Sequence, residues 1–197
     1  MTTSPPPAPW LLRGSGLVAL YGPSPQAPRG GALMLVRYAD SPVGPYDELL
    51  WLERVKTRQG WRPCVQQIVV SSAESVAGGR HNWAIPKTLA RFDWSAGRVK
   101  VSTAPGSPGV VLSFGGVQGA GIPLSLRLLP RLARTLSQRG AAGEEFCTTI
   151  GGSGRLRRAH LRVEAAPGWP ALLNRQKPLL VLGVPEFRLT FPPAHVR

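Results

Sequence analysis

Lys87 closes the segment Gly79-Arg80-His81-Asn82-Trp83-Ala84-Ile85-Pro86-Lys87, in which a rigid Ile-Pro step delivers an amine among Trp83, Ile85, Leu89 and Phe92. Buried there, the ammonium loses hydration. Its pKa falls and the free amine becomes a nucleophile toward carbonyl carbon. The alternative is a stem that crosses apolar surface while the ammonium snorkels to water, and sequence physics alone favours it. A second segment carries a carboxylate. Ser41-Pro42-Val43-Gly44-Pro45 is a forced turn after a strand, and Tyr46 and Glu48 then share one face of the next strand. Leu50 and Leu52 continue that face, so an inward Glu48 needs a partner or a job. An outward, solvated Glu48 is equally consistent with the segment.

The elements needed to position these groups are mostly strands. Residues 32–38 are apolar and β-prone, and 48–56 and 62–71 flank a hairpin turn at 57–60. Residues 89–94 and 98–103 flank a second hairpin at Ser95-Ala96-Gly97. The segments 110–114, 145–150, 158–164, 179–184 and 186–191 complete a mainly β set. Ser71 followed by Glu74 fits a capping box, and Gly78 and Gly79 supply a stop, so a helix of about two turns is expected over 72–77. A second helix is expected over 126–138, starting near Pro130. Its Arg127, Arg131 and Arg134 lie opposite Leu128, Leu132 and Leu136. Residues 1–31 read as a flexible segment rich in proline and glycine, with 1–9 a mobile polyproline-like tail. Residues 32–197 read as one domain.

Other chemistries lack support. Gly14-Ser15-Gly16 followed by Ala19 matches a loose dinucleotide pattern without the flanking strand and helix. The glycines at 115, 116, 119 and 121 lack the lysine of a phosphate loop and read as a flexible turn. Arg155 spoils any nucleophile elbow at Ser153. The three histidines are dispersed and no metal spacing is present, so no metal and no cofactor are expected. Cys64 and Cys147 are isolated and read as free, half-buried thiols.

Net charge is +14, from 24 Lys and Arg against 10 Asp and Glu. Such a balance raises nucleic acid as a partner. The arginines are scattered, however, no recognition motif accompanies them, and nucleic acid is not the expected partner. With no membrane-length apolar run and a poor signal peptide, a cytoplasmic protein is expected.

Taken together, the two segments resemble acetoacetate decarboxylase. That family carries a turn leading to Tyr-x-Glu, a short helix, Gly-Arg, and Pro-Lys beginning six residues after the arginine. Here these are Tyr46-Asp47-Glu48, residues 72–77, Gly79-Arg80 and Pro86-Lys87. The similarity spans roughly residues 32–191, and the stretch from Gly79 to Lys87 is its most specific part. It implies an antiparallel β cone or barrel-like sheet around an apolar central cavity, with one or two short helices, in a homo-oligomer. It also implies Lys87 as the Schiff-base nucleophile, by the lysine-activation device known for acetoacetate decarboxylase. Glu48 would then serve proton transfer or substrate orientation. Arg80 matches the motif arginine, with a structural role ahead of carboxylate binding. Tyr46, Trp83 and Leu33 would be further substrate contacts.

Three departures stand out. Thr88 replaces a second lysine, Leu33 falls where the family has another active-site glutamate, and the family's N-terminal arginine has no counterpart. The expected function is a Schiff-base lyase for a keto acid, by decarboxylation or related aldolase or dehydratase chemistry. The alternative is a non-catalytic protein holding a hydrophobic carbonyl or lipid-like ligand in the same cavity.

Overall fold

Alternating and continuous apolar runs become strands along most of the chain. The computed structural model describes residues 4–25, 27–104 and 106–197, without the side chains of 117–120. Strands β1 (Trp10–Tyr21), β2 (Gly31–Asp40), β3 (Tyr46–Thr57) and β4 (Gly60–Val70) precede helix α1 (Ala73–Trp83). β5 (Lys87–Leu89), β6 (Arg91–Ser95), β7 (Arg98–Ser102) and β8 (Val110–Ser125) follow. Two 3-10 turns, Leu126–Leu128 and Arg131–Arg134, lead into β9 (Thr135–Arg139), β10 (Glu145–Thr149) and β11 (Gly151–Glu164). Helix α2 (Leu172–Arg175), β12 (Leu180–Phe191) and β13 (His195–Val196) complete the chain.

Ten strands form one sheet in the order β5-β4-β3-β2-β1-β12-β11-β8-β7-β6, antiparallel except for the β4–β5 pair. Its two edge strands are separated in sequence by Ala90 alone, so the sheet must curl until its edges meet. No ladder joins β5 to β6 among the described residues; the result is a barrel-like curl and not a closed barrel. A polar clasp bridges the two halves. Trp94 Nε1 donates to Asp47 Oδ2 at 2.7 Å, Arg37 Nε donates to Asp47 Oδ1 at 3.2 Å, and the Arg37 guanidinium lies over the Trp94 ring.

The curl encloses a filled core. Leu33, Leu49 and Trp51 from one half pack with Val99, Val101, Val110 and Leu112 from the other. Each such burial stabilises the fold by about 1.5–3 kcal/mol. The opposite face of β1–β4 carries a second core, with Leu12, Val36, Tyr38, Tyr46, Leu50 and Ile68 packed under Trp83, Ile85 and Leu136. Helix α1 and a small sheet, β13-β10-β9, cover this face. The apolar cavity opens on this face, walled by β1–β4, β11 and β12 and covered by the 3-10 turns, Leu136 and Trp83.

Several expectations change. Residues 10–21 are not a flexible segment but β1, which pairs with β2 and β12 in the middle of the sheet. Gly14 and Gly16 disguised it. A Cβ at either would collide with the β2 backbone at Arg37 or Leu35, so the glycines permit close strand approach instead of marking a loop. Pro6, expected in a mobile tail, accepts from Trp10 Nε1 at 3.0 Å and Asn82 Nδ2 at 2.9 Å. Residues 1–3 of that tail lie outside the described residues. The glycines at 115, 116, 119 and 121 belong to β8 and not to a turn.

The helix expected over 126–138 is two 3-10 turns followed by β9, whose Thr135, Leu136, Ser137 and Gln138 are all buried by pairing and packing. Helix α1 runs past Gly78 and Gly79 to Trp83. Ser72 caps it instead of Ser71, accepting from Ser75 N at 3.0 Å, while Ser71 Oγ accepts from Asp47 N at 2.8 Å. Cys64 and Cys147 are free. No described helix is long and apolar enough to cross a membrane, and no cluster of potential metal ligands occurs among the described residues.

Candidate active site

Lys87 reaches its position through three local devices. Helix α1 ends at Ala84, in the left-handed conformation at φ 52°, with Ala84 N donating to Arg80 O at 3.1 Å and Ile85 N to Gly79 O at 3.2 Å. Pro86 then enforces extended backbone at Ile85, and β5 begins, parallel to β4 with Lys87 opposite Ile68. Arg80 Nε donates to the Lys87 carbonyl at 2.8 Å, tying the helix end to the strand. Gly79 makes room for the lysine stem, since a Cβ there would lie 2.6 Å from Lys87 Cδ. The Gly-Arg and Pro-Lys spacing is therefore a positioning device. Arg80 performs it from outside the cavity, which it does not line.

The amine points inward. Lys87 Nζ donates to Glu48 Oε2 at 2.8 Å and to Ser75 Oγ at 2.9 Å, with Tyr46 OH at 3.5 Å, which uses all three ammonium protons. It also lies 5.1 Å from the Tyr46 ring centroid. Tyr38 OH donates to the other Glu48 oxygen at 3.2 Å. Lys87, Glu48, Tyr46, Tyr38 and Ser75 are all buried.

Charge settles differently from the expectation of a depressed lysine. Burial pushes the Lys87 ammonium pKa down, but the Glu48 carboxylate and, after it, Tyr46 hold it up, and the balance lies above the ordinary value. The resting site is thus an ammonium–carboxylate pair. Burial, reinforced by Glu48, raises Tyr38 well above the usual phenol range, and burial raises Tyr46 despite the nearby ammonium. Both phenols remain protonated donors near neutral pH.

This cluster opens onto a cavity of about 710 Å³ whose walls are largely aliphatic and aromatic. Trp83 lines it, stacked edge-on against Trp10 at 5.2 Å and Phe191 at 5.5 Å. Leu33 does not. The pleat of β2 turns Met34 and Val36 toward the cavity and Leu33 into the opposite core, so the ungapped match to the family falls on the wrong face. Thr88 is exposed and bonds the Ile68 carbonyl at 3.3 Å, so the side chain after Lys87 faces away from the pair.

Two contributors were not singled out in the sequence. Tyr38 sits directly across the β2–β3 pair from Tyr46, a partnership the intervening Ser-Pro turn could have revealed. Ser75 precedes Gly79 by four residues, on the same face of α1.

The architecture and site define a class: a mainly β protein, curled around one core, with a buried lysine–carboxylate pair at an apolar cavity on its second face. Its fold is the acetoacetate decarboxylase-like fold. An acetoacetate decarboxylase from Legionella pneumophila subsp. pneumophila str. Philadelphia 1 superposes with a TM-score of 0.68 at 16% identity, covering 99% of this chain and 89% of that one. The enduracididine biosynthesis enzyme MppR complexed with pyruvate gives 0.68 at 14%, covering 99% and 92%. An acetoacetate decarboxylase-like enzyme from Sphingomonas wittichii RW1 gives 0.68 at 11%, covering 96% and 93%. No family model and no curated protein matches the sequence.

Proposed function

We propose that the chain is a Schiff-base-forming lyase for a keto acid, with Lys87 as nucleophile and Glu48 as its proton partner. One observation carries this reading: the Lys87 amine faces an apolar cavity and touches a buried carboxylate at 2.8 Å. The fold shared with acetoacetate decarboxylase, and with MppR, whose complexes hold pyruvate or a pyruvate condensation product, supports it.

The resting ammonium must lose a proton before it can attack. Glu48 Oε2 is placed to take it. The neutral amine adds to the ketone carbon to give a carbinolamine, and the protonated Glu48 returns a proton to the departing hydroxyl as water leaves. The resulting iminium accepts the electron pair of the breaking carbon–carbon bond, so a β-carboxylate departs as carbon dioxide and leaves an enamine. Protonation of the enamine carbon and hydrolysis then release a ketone and restore Lys87. Tyr38 and Ser75 hold Glu48 and Lys87 in register through these steps. Tyr46 and Trp83 present their rings to the bound substrate. We further propose a homo-oligomer in the cytoplasm, which sedimentation and fractionation would test.

A non-catalytic ligand-binding role is the second reading, favoured by the resting ammonium, which is not itself nucleophilic. The two separate on one comparison. The lyase reading expects carbon dioxide release from 3-oxo acids by the wild type and none by Lys87→Ala. Equal ligand binding by both proteins, with no carbon dioxide from either, supports the binding reading instead.

A further inference from the structure

Decarboxylation at Lys87 leaves an enamine whose carbon must take up a proton, and Glu48 has none to give. Its proton has gone to the departing hydroxyl. The ionised carboxylate then accepts from the remaining N–H through Oε2 and from Tyr38 OH through its other oxygen. The acid has to come from elsewhere in the cluster.

The protons on nitrogen identify it. The resting ammonium donates to Glu48, Ser75 and Tyr46. An iminium or enamine nitrogen carries a single N–H, so two of these three contacts end once substrate is held covalently. The charged partner, Glu48, keeps the N–H. Ser75 and Tyr46 are left with hydroxyls released from the amine. Of these two, Tyr46 lines the cavity, whereas Ser75 is fully buried and does not. Tyr38 also lines the cavity, but its proton is committed to Glu48. Tyr46 OH stands 3.5 Å from Nζ, and the carbon to be protonated is joined to the carbon that Nζ holds. The hydroxyl is thus placed for the separation of about 3–3.5 Å at which positioned groups react. Burial, with Glu48, keeps the phenol protonated near neutral pH, while the Lys87 cation and a Ser75 hydrogen bond favour its anion.

We infer that Tyr46 is the catalytic acid that protonates the enamine carbon, with Ser75 as the positioning residue that steadies its phenolate. This rests on the lysine–keto-acid reading above and assigns the step that reading leaves open. The enamine electron pair takes the phenolic proton, the O–H bond breaks as the C–H bond forms, and the phenolate faces the regenerated iminium. The water that adds to the iminium carbon passes a proton to the phenolate. The carbinolamine then collapses to ketone and Lys87 amine, which takes one proton from solvent to restore the ammonium. In reverse, the phenolate removes an α-proton from the imine of a simple ketone.

The test pairs two readouts on acetone and 2-butanone: deuterium exchange at the α-carbon in deuterium oxide, followed by proton NMR, and borohydride trapping on Lys87. The wild type should do both. Tyr46→Phe should still be trapped on Lys87 while exchanging on the order of 100-fold or more slowly. Exchange by Tyr46→Phe at the wild-type rate overturns the assignment. So does an equal loss of trapping and exchange in folded protein, which a merely structural phenol would give. Should Tyr46→Phe not fold, Ser75→Ala decides with the same readouts. Its exchange is expected to fall on the order of tenfold with trapping kept, and unchanged exchange overturns the assignment. Wild-type protein that is trapped on Lys87 but exchanges nothing sinks Tyr46 alone, whereas wild-type protein that forms no adduct sinks the lysine chemistry itself.

Discussion

Lys87 Nζ and Glu48 Oε2 lie 2.8 Å apart with side chains only 6% and 7% exposed. A pair held this far from water attracts strongly, yet each partner has given up its hydration, so removing one is worse than never having either. The pair also fixes the resting protonation of the site. Glu48 holds the proton on Lys87 and is the base nearest to remove it.

The pair should reverse the sign of the alkaline stability profile when Glu48 is neutralised. In the wild type the Lys87 pKa is raised above its unfolded value of about 10.4, so its stabilisation is complete below that pH and is lost as pH rises through the folded value. In Glu48→Gln, burial acts without the anion and the folded pKa drops below the unfolded one. Stability should then rise with pH up to about 10.4. Urea denaturation across that range measures both slopes.

Truncating one partner tests the cost of an orphaned charge. Lys87→Met should destabilise by about 3–5 kcal/mol, and the double variant Lys87→Met/Glu48→Leu should recover most of that loss. Denaturation of the wild type, Lys87→Met, Glu48→Leu and the double variant gives the coupling directly.

Gly79→Ala separates stability from reactivity. Alanine is the better helix former by about 1 kcal/mol, but its Cβ would press on Lys87 Cδ and displace the amine. Activity should fall on the order of 10- to 100-fold while the variant remains folded. Steady-state rates alongside circular dichroism check this.

Arg80→Gln distinguishes positioning from substrate binding. Because Arg80 holds the Lys87 backbone from outside the cavity, kcat should fall with KM for the keto acid little changed. A selective rise in KM would instead place the guanidinium on the substrate carboxylate.

The lysine and its carboxylate were legible because both sit in short, rigidly spaced segments. Pro86 delivers one, and the Ser41 to Pro45 turn delivers the other. What the sequence concealed lies in contacts between distant strands. Gly14 and Gly16 look like loop residues until β2 is seen pressed against them. Leu33 looks inward because spacing along one strand says nothing of which face the sheet will cover. The raised Lys87 pKa was equally invisible, since burial is suggested by neighbours in sequence, but the opposing Glu48 arrives from 39 residues away. The leucines and arginines of 126–138 have helical spacing, yet pairing with β10 and packing on β4 make the second half a strand.

The central claim is that Lys87 forms an imine, and sodium borohydride reduction in the presence of acetoacetate, pyruvate and longer keto acids tests it most directly. Peptide mass spectrometry should find a reduced adduct on Lys87 with at least one of them, and none on Lys56, Lys100 or Lys177. Complete absence of a Lys87 adduct with every keto acid, in protein shown to be folded and to bind them, would contradict it.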